Sequence, residues 1–127
     1  MKYITPDSWN PCDGIQLEDN AKTSVIIPSN VLVIAGPGAG KTELLAQKAS
    51  YLFQTNMCHD PQKILAISFK KDAAANLKER VVIRCGNDIA DRFVSLTYDA
   101  FSKGILDQFR CALPENIRPN AFYYIEE

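Results

Sequence analysis

The sequence predicts an α/β fold: a three-layer α/β/α domain around a parallel core sheet of at least three strands. Two observations lead there. Short apolar, partly β-branched runs at 31–34, 64–69 and 93–96 alternate with longer stretches of helical periodicity. That alternation places crossover helices between parallel strands. The first run also leads straight into a glycine-rich segment and then a helix, a compact strand–loop–helix unit. With 127 residues, 46% hydrophobic and 23% charged, the chain can form one globular domain with its own core.

Taken in order, residues 1–15 scatter Pro6, Trp9, Pro11 and Gly14 among polar side chains and predict an irregular lead-in. Trp9 has two readings there, a cover for a core edge or a wall of a base pocket. Leu17, Ala21 and Val25 recur every four residues and predict a helix over 17–27, ended by Pro28-Ser29-Asn30. Beyond the glycine segment, Leu44, Leu45, Ala49, Leu52 and Phe53 give a helix from Lys41 to Phe53 its apolar stripe. The stretch 55–62 is a loop that carries His59 at the surface. Residues 64–69 are nearly all apolar, as in a strand buried on both faces. A helix from Lys71 to Cys85 turns Ala73, Ala74, Leu77, Val81 and Val82 inward, and Gly86 stops it. A short strand at 93–96 and a helix from Tyr98 to Phe109 follow, and Pro114 and Pro119 interrupt the remainder.

Charge and cysteine content narrow the class. The formal net charge is −1, yet six basic and only two acidic side chains lie between Lys63 and Arg84. Such a segment suits a polyanion or a solvated helix face equally well. Cys12, Cys58, Cys85 and Cys111 are scattered without a C-x-x-C pair, and His59 is the single histidine. The expectation is reduced thiols and no structural metal. No apolar run approaches membrane-spanning length and the amino terminus has no signal-peptide core, so a cytoplasmic protein with no membrane partner is expected.

The chemistry concentrates in Ala35-Gly36-Pro37-Gly38-Ala39-Gly40-Lys41-Thr42. This is the Walker A spacing of a phosphate loop, with alanine at the usual first glycine. Backbone amides from Gly38 to Thr42 can converge on phosphate oxygens where a helix begins. Gly38 and Gly40 can take conformations that side chains forbid, whereas Pro37, lacking an N–H, only shapes the loop. Lys41 would reach the β- and γ-phosphates of ATP, and the Thr42 hydroxyl would ligate Mg²⁺.

Two further segments follow the later strands: Ser68-Phe69-Lys70-Lys71-Asp72-Ala73-Ala74 and Leu96-Thr97-Tyr98-Asp99. With the loop, this ordered set resembles the first ATPase domain of superfamily 1 helicases of the UvrD/Rep type. In that family an Ala-Gly-x-Gly-x-Gly-Lys-Thr loop precedes a Thr-Phe-Thr-Asn-Lys-Ala-Ala-like motif and then a Thr-Phe-His-like motif. The resemblance spans roughly residues 16–110 and implies an incomplete P-loop, RecA-like ATP-binding domain there. Residues 111–127 are then a tail or the start of a following subdomain.

The resemblance also implies that Ser68, Phe69, Lys70, Lys71, Thr97 and Tyr98 contact single-stranded DNA. An aromatic ring beside two lysines offers a stacking face next to phosphate-neutralising charge, although Phe69 in the core with exposed lysines is the simpler packing. Asp99 departs from the family's histidine. The family's adenine-reading glutamine falls by spacing on Asn20, with Gln16 one helical turn earlier; either amide can pair with adenine's edge.

No apolar run ending in Asp-Glu follows the third strand, and the transition-state arginines of the family belong to a second motor domain. The expectation is therefore ATP and Mg²⁺ binding without useful turnover in this chain alone, with the remaining helicase domains as partners in a longer parent. Were turnover to occur, Glu43 and Glu126 would be the carboxylates to test. Two other classes stay open: a self-contained nucleotide-dependent regulatory module, and a small-molecule kinase, for which no arginine-bearing lid is evident.

Overall fold

The computed structural model describes residues 2–38 and 40–124. Its elements are α1 (Asp19–Ile26), α2 (Lys41–Gln54), β1 (Ile64–Ser68), α3 (Lys71–Cys85), the short α4 (Asn87–Ala90), β2 (Phe93–Thr97) and α5 (Tyr98–Phe109). The two strands pair in parallel, from Ile64 beside Phe93 to Ser68 beside Thr97, with α3 as the crossover. Lys71–Cys85 is the range that the helical periodicity predicts. Gly86 at φ +80° ends α3, and its amide donates to the Val82 carbonyl at 2.8 Å.

The main core joins α2 and α3 to one face of the sheet. Ala46, Ala49 and Phe53 of α2 meet Leu77 and Val81 of α3 and Phe93 of β2, with Ile64 and Ala66 packed against them. Lys78 of α3 ties the crossover down by donating to the Phe93 carbonyl at 2.7 Å and to that of Ala90. The Ser95 hydroxyl donates to the Ala74 carbonyl at 2.8 Å. A second cluster unites Trp9, Val25 and Tyr51. Trp9 meets Tyr51 edge-on with ring centroids 5.3 Å apart, and its Nε1 donates to Gln54 Oε1 at 2.8 Å. At 3% exposed, Trp9 is a core residue, and its reading as a base-pocket wall falls away. Lys48 closes this region by donating to the Val25 and Ile27 carbonyls at 2.6 and 2.7 Å, and its burial lowers its pKa.

The structure departs from expectation in several places, chiefly around the sheet. Among the described residues it has two strands. Val31–Ile34 is exposed and unpaired, because a strand exists through its ladder and no described strand lies beside it. β1 is covered on one face only: Ile64, Ala66 and Ser68 are half-buried while Leu65 and Ile67 are exposed. β1 thus has one packed face, whereas on the opposite face of β2 Val94 and Leu96 are half-buried. In α2, Leu45 is exposed and the polar Gln47 and Ser50 are buried, because the lead-in covers that side of the helix. The Cys12 amide donates to Gln47 Oε1 at 2.8 Å. Ala73 is exposed in α3, one position off the face that Ala74 and Leu77 bury.

Candidate functional site

The glycine loop feeds directly into α2. Gly38 and Gly40 both have positive φ, +75° and +73°, and Gly40 is the residue that enters the helix. Nothing lies within 4 Å of a Cβ built at either position, so backbone conformation rather than crowding calls for glycine. Lys41 Nζ donates to the carbonyls of Ala35 and Gly36, each at 2.8 Å, which holds the ammonium against the loop. Thr42 is exposed in the first turn, where helix amides lack intrahelical acceptors. Open glycines, a loop-held ammonium and free first-turn amides fit a polyphosphate. Gly36 and Pro37 lie in the same exposed loop; Ala39 lies outside the described residues.

Glu43, next along α2, is fully engaged. Arg84 of α3 makes a two-point contact, Nε to Oε1 and Nη2 to Oε2, both at 2.9 Å. Arg80 Nη1 donates to Oε2 at 3.3 Å and Gln47 Nε2 to Oε1 at 2.8 Å. The Arg84 guanidinium, aided by Gln47, holds the Glu43 carboxyl below its ordinary range despite partial burial. Arg84, which also pairs with Asp13, is held more firmly protonated by Glu43. A carboxylate bound in this way is a structural anchor between α2 and α3, and a poor general base. Glu126 lies outside the described residues.

The carboxyl ends of β1 and β2 open into a groove of about 930 Å³. Phe69, Lys70 and Lys71 enter it from the turn between β1 and α3, and Tyr98 from the start of α5. Phe69 is 93% exposed and Tyr98 64%, so neither ring is used in a core. Thr97 behaves differently. It is buried, and its hydroxyl accepts from the Ala100 amide at 3.2 Å, capping α5. Ser68, the last residue of β1, is half-buried and is not among the groove-lining residues. Asp72 and Asp99 add negative charge, while Lys103, Tyr123 and Tyr124 line the groove from α5 and the segment after it. Those last three escape sequence reasoning because no local spacing links them to Phe69. Asn20 and Gln16 are both exposed, in and just before α1.

The basic segment is therefore divided. Arg80 and Arg84 serve ion pairs, Lys78 serves backbone carbonyls, and Lys70 and Lys71 face the groove. The four cysteines are free, and burial pushes the Cys85 thiol up to about 11. No cluster able to hold a metal ion occurs among the described residues. No described helix is long and apolar enough to cross a membrane.

The profile of the UvrD/REP helicase N-terminal domain matches residues 17–124. The chain belongs to this family. Mixed α/β structure with a small parallel sheet is what a member shares with P-loop NTPases. Among similar proteins, "Probable DNA helicase II homolog" of Mycoplasma capricolum is 36% identical over 88 residues, 68% of this chain and 12% of the relative. "DNA helicase II" of Escherichia coli is 38% identical over 66 residues, 51% of this chain and 9% of the relative. "ATP-dependent DNA helicase UvrD1" of Mycobacterium bovis is 34% identical over 96 residues, 76% of this chain and 12% of the relative. The chain thus spans only about a tenth of the length of these relatives.

Proposed function

We propose that this chain is the nucleotide-binding, single-strand-contacting front of an ATP-dependent DNA helicase or translocase. Its residues 16–110 form part of a three-layer, RecA-like P-loop domain whose sheet and second helical layer are completed elsewhere in the motor. The loop residues 35–42 cradle the phosphates of ATP, Lys41 neutralises the β- and γ-oxygens, and Thr42 shares a Mg²⁺ that arrives with the nucleotide. ATP supplies the phosphoanhydride whose cleavage drives the complete motor. Lys41 swings from loop carbonyls to phosphate at little cost, exchanging neutral acceptors for charged ones. Asn20 or Gln16 reads adenine. Thr97 contributes by fixing the start of α5, which sets Tyr98 in the groove, and Ser68 ends the strand that delivers Phe69.

The observation that carries the reading is the pair of exposed rings, Phe69 and Tyr98, beside Lys70 and Lys71 at the carboxyl ends of two parallel strands. Ligands of open α/β sheets bind at that edge. Rings offer stacking to any base, and two lysines neutralise about two phosphates. Fluorescence anisotropy with labelled single-stranded DNA across a salt series tests this. The parent should show a log–log salt slope of about −1.4. Lys70→Ala with Lys71→Ala should flatten it, and Phe69→Ala should weaken binding at unchanged slope. If neither variant alters binding, the DNA half of the reading is wrong.

A further inference from the structure

The chain after α5 does not trail away. Arg110 Nε donates to the Pro119 carbonyl at 2.8 Å, and Arg118 Nη2 donates to the Leu113 carbonyl at 2.8 Å. These two clasps fold residues 110–119 into a reversal that returns the backbone toward α5. Tyr123 docks there. Its hydroxyl donates to Asp107 Oδ1 at 2.7 Å, and its ring centroid lies 4.3 Å from Lys103 Nζ. Lys103 in turn donates to Asp107 Oδ2 at 2.7 Å, so the ring, the ammonium and the carboxylate hold one another. The next residue, Tyr124, is 94% exposed and lines the same groove as Phe69 and Tyr98.

We infer that this return segment is a second wall of the strand-binding groove, in which Tyr123 is a positioning residue and Tyr124 stacks on a base. The inference rests on the single-strand reading above and extends it to residues that none of the family-like motifs contains. Three exposed rings delivered by three separate segments, next to two lysines, suit a ligand with several flat faces joined by negative charges. A single strand presents that chemistry, whereas the faces of a duplex's bases are stacked on one another and closed to aromatic side chains. A tyrosine whose segment is already fixed loses little freedom on stacking, which favours use of this ring.

The test uses the full 127-residue chain, labelled oligothymidylate, an abasic strand of equal length and a duplex. Tyr124→Ala should weaken oligothymidylate binding about tenfold, within the range for one stacked base. The same change should leave abasic binding and the salt slope as in the parent, and duplex should bind more weakly than single strand. Tyr123→Ala should match that loss, whereas Tyr123→Phe, which keeps the ring over Lys103, should recover part of it. Tyr124→Trp should retain binding and show fluorescence quenching on addition of the strand, over a constant background from buried Trp9.

If Tyr124→Ala binds like the parent while Phe69→Ala is weakened, the second wall is refuted and the strand reading stands. An equal loss on the abasic strand, or absence of quenching in Tyr124→Trp, also overturns the stacking role. A parent that binds no strand overturns both readings together.

Discussion

Lys41 and Glu43 stand two positions apart at the head of α2, and their surroundings assign them opposite duties. Lys41 donates to carbonyl oxygens of its own loop, whereas both oxygens of Glu43 are taken by side chains. The Glu43–Arg84 pair is mostly buried and spans two helices, unlike an exposed surface pair of small worth. Arg84→Ala should therefore destabilise the chain by about 2 kcal/mol, the scale of hydrogen bonds to a charged group, measured by urea unfolding. Arg80→Ala, which removes the longer and more exposed contact, should cost less. Local sequence carries the loop well, since glycines at fixed spacing state their own conformational need. It carries Glu43 poorly, because the arginine that engages it is forty-one positions away.

The elements differ in how far sequence reveals them. α3 and α5 match their predicted spans because a helix is closed by neighbours three and four positions along, and the stop at Gly86 is local too. A strand needs a partner that no local pattern names. Val31–Ile34 shows the β-branched composition and even a period-two alternation of exposure, yet it pairs with nothing described. Leu65 and Ile67 illustrate the same point, apolar enough for a buried strand but covered on the other face alone. Phe53 is where α2, α3 and the sheet meet, with Arg92 stacked 5.2 Å from its ring centroid. Phe53→Ala should cost roughly 3–5 kcal/mol, whereas Leu65→Ala should change stability by less than about 0.5 kcal/mol. Paired denaturation curves would check both, and an equal loss would mean that Leu65 is packed after all.

At the scale of the molecule, apolar surfaces outside the groove stand open among the described residues, notably the run Val31–Ile34, with Leu32 84% exposed, and the β1 face with Leu65 and Ile67. In the proposed motor, further strands of a larger P-loop sheet cover both. Alone, the chain should associate with itself through these surfaces as its concentration rises, because unpaired apolar strands recruit each other. Leu32→Ser with Ile34→Ser should suppress that association in sedimentation velocity without lowering stability; unchanged association would locate the sticky surface elsewhere. The central claim concerns the loop that precedes α2. Calorimetric titration with Mg-ATP of the parent and of Lys41→Ala tests it most directly. One equivalent should bind to the parent, with affinity at least about tenfold lower in the variant, since the phosphate oxygens lose their charged donor. Equal binding by the two proteins would contradict the account.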